Sequence, residues 1–325
     1  VREVEVVFKE LGFHGVFSFE GEDWRRQRRL AVTALNSNRL HSHFPIIGTA
    51  AERLRRRLQA AARSGQSIKV AVGQFIEEAR RRIEERPELR EAPTNFLEAM
   101  LAAQATGGSF SDEEILGNTL SLLFAGEDTT AHSLAWTLWY LAREPEVQER
   151  WAQEAAEVLG DAPVPVDHEM AARFPYGEAV LRESMRLKAV APASMYEPLA
   201  DTGIAGVRIP VGTRIAILAR RINREAGGPE FDPERWLDRN RAPDQRSFLT
   251  FGAGPRFCPG RNLAMLEANC ALAAIGRDFE LELDESGGAV EEFLGFVMVP
   301  RGLKVRLRER EPGKGLSTVG SSTAS

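Results

Sequence analysis

The stretch FGAGPRFCPG, Phe251 to Gly260, sets one cysteine among three glycines and two prolines. The segment after it, GRNLAMLEANCALAAI, has a helical pattern. Gly254 and Gly260 permit a tight loop and the close approach of a flat ligand. Pro255 and Pro259 stiffen the same loop. Cys258 therefore lies on a constrained backbone at a helix start, where free N–H groups and the helix dipole favour a thiolate. Few folds need a lone thiol held in this way.

The neighbouring side chains narrow the choice. Phe251 can lie against the face of a flat ligand, and Arg256 offers a cation to a carboxylate at its edge. One axial thiolate, a flat partner and an anionic rim describe haem b held by cysteine. Such a thiolate pushes electron density onto the iron and favours O–O cleavage. Other uses of cysteine fit poorly. The chain has two cysteines and five histidines, with no CxxC spacing for a zinc site. Cys258 and Cys270 are twelve residues apart. On a continuous helix that is about 18 Å, too far for a disulfide, which needs Cα atoms within about 7 Å. Cys270 reads as a small buried helix residue.

The 325 residues are 43% hydrophobic with a net charge of −5, which excludes a global bias toward nucleic acid. No apolar run approaches a membrane span, and no signal peptide is visible, so a cytoplasmic location is expected. Most of the chain reads as helix. GEDWRRQRRLAVTALN and AAERLRRRLQAAARSG carry apolar residues at three- and four-residue spacing, with Gly65 as a C-cap. AVGQFIEEARRRIEERPELR is a further amphipathic helix. Ser111 and Glu114 fit a capping box, and helical pattern then runs without proline to Pro145. Pro145 suits the first turn of the next helix, which Gly160 closes. FPYGEAVLRESMRLK is another helix, stopped before Pro192. GIAGVRIPVGTRIAIL reads as a short hairpin, and FVMVPRGLKVRL as a second one turning at Pro300–Gly302. The fold class is mainly α with small β-sheets, an α+β body.

The loop resembles that of the cytochrome P-450 family of haem-thiolate monooxygenases. Phe251, Gly254, Arg256, Cys258 and Gly260 match the family pattern Phe-x-x-Gly-x-Arg-x-Cys-x-Gly. Three more motifs agree. ESMR puts Glu183 and Arg186 one turn apart, and PERW supplies Arg235. The resemblance implies a buried network of the three that braces the segment before the cysteine. AGEDTT lies inside the long helix. There Gly126 costs roughly 0.8–1.0 kcal/mol relative to alanine, and its small size would let the helix run close over a haem. The resemblance makes this the distal oxygen-activating helix. Ala125 and Gly126 would lie against the cofactor, Thr129 would bond an upstream carbonyl or bound oxygen, and Asp128 would pass protons inward. WRRQR puts Trp24 and Arg28 on one face, and the resemblance assigns them to a haem propionate. Arg25, Arg26 and Arg29 form a basic patch for an acidic redox partner or a solvated face.

The resemblance runs from about Gly21 to the final strand and implies the cytochrome P-450 fold. It departs in places. MYEP has Glu197 where many relatives have a propionate-binding arginine nearby. The N-terminal sheet region is expected to be lacking before Val1, and lid helices near Val70–Ala71. Residues 1–311 are expected to form the haem domain and 312–325 a flexible tail or linker. HGVFSFEGEDWRRQRRLAVTALN is most similar to bacterial self-sufficient members, which carry a fused reductase. The implied activity is insertion of one atom of O₂ into a small apolar organic substrate, by hydroxylation or O-dealkylation. Electrons would come from NAD(P)H through a flavin and iron–sulfur reductase, separate or fused. A peroxide-driven peroxygenase and a non-catalytic haem sensor are the alternatives. Ala125, Ala191 and Ala193 are candidate lining residues of the substrate pocket.

Overall fold

A computed structural model describes residues 15–16, 19–35, 37–64, 85, 96–105, 111–244, 247–284, 286 and 288–310. The junction at Val70–Ala71, the tail at 312–325 and, residue 85 apart, the expected helix over 71–90 lie outside the described residues. The helices are α1 (Gly21–Ala34), α2 (Ser37–Ser64), α3 (Phe96–Ala105), α4 (Asp112–Leu141), α5 (Pro145–Leu159), α6 (His168–Ala171), α7 (Pro175–Leu187), α8 (Ala219–Glu225) and α9 (Arg261–Asp278). The strands are β1 (Ser194–Tyr196), β2 (Thr202–Ile204), β3 (Val207–Ile209), β4 (Ile215–Ile217), β5 (Phe279–Leu283), β6 (Glu291–Leu294), β7 (Met298–Arg301) and β8 (Val305–Glu309). The mainly helical α+β class is the one expected.

Local signals account for the helix ends. Ser111 and Glu114 form the full capping box at the start of α4: the Ser111 hydroxyl accepts from Glu114 N–H, and the Glu114 carboxylate from Ser111 N–H. The helix runs 30 residues and stops at Leu141, short of Pro145, which opens α5 at its first position. Gly160 caps α5 with a positive φ of 54°.

The core lies where α5, α7 and α9 meet β5. Leu141, Trp151, Val180, Leu181, Leu272, Ile275 and Phe279 are buried there in one cluster. A second cluster packs α2 on α9 through Leu40, Phe44, Ile47, Leu266, Cys270 and Ala274. Cys270 is fully buried, and burial pushes its thiol up to about 12. So α9, which begins just after the Cys258 loop, is packed along two of its faces.

Among the described residues, four two-stranded antiparallel sheets lie around this body. They bear out a short hairpin in the first expected stretch and correct the second. In the first, only β2 and β3 pair, turning at Ala205–Gly206, while β4 pairs with β1. In the second, Gly302 does turn the chain, with a φ of 81°. The two strands then diverge: β7 pairs with β6, and β8 with β5. Leu281, buried on β5, sits opposite Leu307 on β8. Non-local apolar pairing outweighs the local turn signal there.

Candidate functional site

The cysteine loop is a short 3-10 turn, Gly254–Arg256, followed by Gly260 as N-cap of α9. Gly252 and Gly254 have φ values of 73° and 65°, which only glycine adopts without strain. Phe251 accepts at its carbonyl from the Cys258 N–H at 2.8 Å, which closes the loop. The backbone N–H groups of Gly260 and Arg261 lie beside the Cys258 sulfur and favour its ionised form. Cys258 is half-buried. Its thiol is pushed up, because burial outweighs the opposing pull of those N–H groups and of Arg28. The N–H groups at the helix start pull toward the thiolate, as the sequence expectation has it, and burial opposes them. A cation coordinated there would add to that pull, since a coordinating thiol is deprotonated outright.

Trp24, Arg28 and Arg256 converge beside this loop. The Arg256 guanidinium lies 4.1 Å from the centre of the Trp24 ring. Arg28 donates to the Phe257 carbonyl. Arg256 also meets Glu20 at 2.5 Å, a partner with no sequence signal. Burial, and to a lesser degree Arg256, lower the Arg28 pKa, while Cys258 raises it. Among the described residues Arg28 pairs with no carboxylate. Arg28 is thus placed to receive an anion, beside an Arg256 that lies over the Trp24 ring and is paired with Glu20.

The second group lies on α4. The Thr129 hydroxyl donates to the Ala125 carbonyl at 2.5 Å, so its lone pairs stay open to a further donor. Gly126 is exposed, and a Cβ added there would meet nothing within 4 Å. His132 contacts the Asp128 carbonyl through Nδ1 at 2.7 Å. Its i+4 spacing from Asp128 was the only signal for it. The two groups are linked by the packing of α9 on α4, not by a hydrogen bond among the described residues. A cavity of about 550 Å³ is lined by Pro192, Ala193, Leu218, Arg220, Leu294 and Met298. Of the expected lining residues it includes Ala193, but neither Ala125 nor Ala191.

The bracing network is present in full. Glu183 and Arg186 are completely buried. The Glu183 carboxylate accepts from Arg186 Nε and Nη2, from Arg235 Nε, from the Asp232 N–H and from Trp236 Nε1, at 2.8–3.0 Å. Arg186 also donates to the carbonyls of Gly228 and Glu230. With donors and acceptors paired, the cost of burying the charges is offset. Arg25 and Arg26 are paired with Glu22, Asp23 and Glu114, so little of the expected basic patch stands uncompensated.

The residues fit a haem. A soft sulfur donor stands on a loop shaped by glycines, Arg28 beside it has no carboxylate partner among the described residues, and a Cβ at Gly126 would meet nothing within 4 Å. Comparison with known proteins agrees. The profile of the Cytochrome P450 family matches residues 67–307. A self-sufficient cytochrome P450 monooxygenase of Aspergillus terreus is 33% identical over 76% of this chain and 24% of its own length. Pentalenene oxygenase of Streptomyces avermitilis is 32% identical over 68% of this chain and 50% of its own. A bifunctional cytochrome P450/NADPH–P450 reductase of Gibberella moniliformis is 35% identical over 66% of this chain and 20% of its own. The chain belongs to the cytochrome P450 family, and that membership implies haem. It spans half or less of the length of these relatives.

Proposed function

We propose that residues 1–311 are the haem domain of a monooxygenase acting on a small apolar organic substrate, by hydroxylation or O-dealkylation. The observation that carries this reading is the convergence of Trp24, Arg28 and Arg256 on the Cys258 loop. Cys258 would hold the haem iron through its sulfur; Trp24, Arg28 and Arg256 would hold the propionates; Phe251, Gly254 and Gly260 would shape the loop against the haem. Ala125 and Gly126 would let α4 lie close to it. Haem bound there supplies the activation of O₂, whose two atoms end in the product and in water after two electrons and two protons are taken up. The protons are the task of α4. Thr129, half-buried with its lone pairs open, orients a donor. Asp128, partly exposed, exchanges protons with solvent.

Electrons come from NAD(P)H through a flavin and iron–sulfur reductase, fused or separate. Relatives described as self-sufficient, or as joined to an NADPH–P450 reductase, support a reductase route. Residues 312–325 serve as tail or linker. Among the described residues no helix is long and apolar enough to cross a membrane. The reading includes a cytoplasmic location, which fractionation of the native host tests.

Two substitutions test the proton role, with NAD(P)H, a competent reductase and a substrate chosen by its haem spin-state shift. Thr129→Ala is expected to keep its haem and consume NAD(P)H, with several-fold less product and correspondingly more peroxide. Asp128→Asn is expected to slow turnover and raise its solvent isotope effect. Wild-type coupling in Thr129→Ala would overturn proton delivery and favour peroxide as the natural oxidant.

A further inference from the structure

Asn223 has no place in the reading above, yet it is completely buried and fully engaged. It lies on α8, between the Glu183–Arg186 network and the segment that leads into the cysteine loop. Its backbone carbonyl accepts from Arg186 Nη1 at 3.3 Å. Its side-chain Oδ1 accepts from the Leu249 N–H at 2.7 Å, and its Nδ2 donates to Thr250 Oγ1 at 3.0 Å. The Leu249 N–H can only donate, so the amide orientation is fixed by chemistry. Thr250 in turn donates to the Met185 carbonyl on α7, one residue before Arg186, at 3.4 Å.

The next link is the loop itself. Leu249 accepts at its carbonyl from the Gly252 N–H, closing a turn that includes Thr250 and Phe251. Phe251 is the residue whose carbonyl receives the Cys258 N–H. A buried ion pair, one asparagine, one threonine and one turn thus form a continuous hydrogen-bonded route to the cysteine backbone. We propose that Asn223, acting through Leu249 and Thr250, is the positioning residue that holds the Cys258 loop in register with the buried Glu183–Arg186 pair, and so keeps the sulfur at the axial ligand position. This rests on the reading of Cys258 as the axial ligand. The network braces the loop only if something transmits its rigidity, and the Asn223 amide does so with a donor and an acceptor at once.

The test uses the purified haem-loaded protein and the carbon monoxide complex of the reduced form, followed by absorbance during mild warming. Conversion from the thiolate-type band to the band of protein that has lost thiolate ligation gives a rate. Thr250→Val, which keeps shape and removes the hydroxyl, is expected to convert about tenfold faster, the equivalent of about 1.4 kcal/mol, or one hydrogen bond. Thr250→Ser is expected to keep the wild-type rate. Asn223→Ala should convert at least as fast as Thr250→Val, and the double variant no faster than Asn223→Ala, because both act on one route. Should Asn223→Ala fail to fold, the Thr250 pair still decides, since Thr250 is only half-buried. A wild-type rate in Thr250→Val overturns the inference, as does acceleration equal in Thr250→Ser and Thr250→Val. A wild-type protein with no thiolate-type band would sink the axial-ligand reading and this inference together. A normal wild-type band with unaffected variants would sink this inference alone.

Discussion

Glu267 lies on α9 with its carboxyl pushed up to about 7, and burial is the cause. An ordinary glutamate titrates near 4.5. The folded chain therefore holds this proton at pH values where the unfolded chain has released it. Stability from this group is full below the unfolded value, falls as pH rises toward 7, and is level above it. The whole effect is at most about 3.5 kcal/mol, at about 1.4 kcal/mol for each tenfold change in the binding constant. Glu267→Gln removes the proton dependence with little change of shape. Thermal unfolding at pH 5 and at pH 8 should show the variant gaining on wild type at the higher pH. A difference that is the same at both would mean that Glu267 is ionised in the folded chain. Asn223 makes the complementary point at this scale. Its type and place in ARRINREAGG carry no local signal, and only contacts distant in sequence reveal its importance.

At the scale of elements, one contact fixes how α5 lies on α9. A Cβ placed on Gly276 would fall 2.7 Å from the Trp151 ring, which is itself buried. Gly276→Ala should therefore cost about 1–3 kcal/mol as the ring is forced aside. Gly48, inside α2, has its nearest neighbour 3.7 Å from the same position. Gly48→Ala should gain up to about 1 kcal/mol from helix propensity. Denaturant midpoints for the pair check the contrast, and equal shifts would contradict the close approach of α5 and α9. Helices were legible in the sequence because their signals are local: the Ser111–Glu114 box, Pro145 and Gly160 each act within a turn. The strand partners were not. The Gly302 turn was read correctly, but β8 takes its partner from β5, beyond any window around the turn, and β7 pairs instead across a second tight turn with β6 just before it. The cysteine loop was legible because its chemistry is packed into ten residues. Glu20 and Phe257 escaped notice because their roles depend on where other elements bring Arg256 and Arg28, whereas His132 meets Asp128 within α4 at a spacing common to every helix.

For the molecule as a whole, the parts form a sequence of supports. Two core clusters hold α9, α9 begins at the cysteine loop, and the buried Glu183–Arg186–Arg235 network steadies the segments beside it. Around this frame, α1 contributes Trp24 and Arg28, and α4 contributes Gly126 and Thr129. The family relationship covers most of the chain, while the chain covers half or less of the relatives compared. The central claim, a haem bound through the Cys258 thiolate, is open to one direct measurement: the carbon monoxide difference spectrum of the reduced protein, recorded for wild type and Cys258→Ala at equal haem loading. The expected result is a thiolate-type band in wild type and its complete loss in the variant. A thiolate-type band that survives in Cys258→Ala would contradict the assignment.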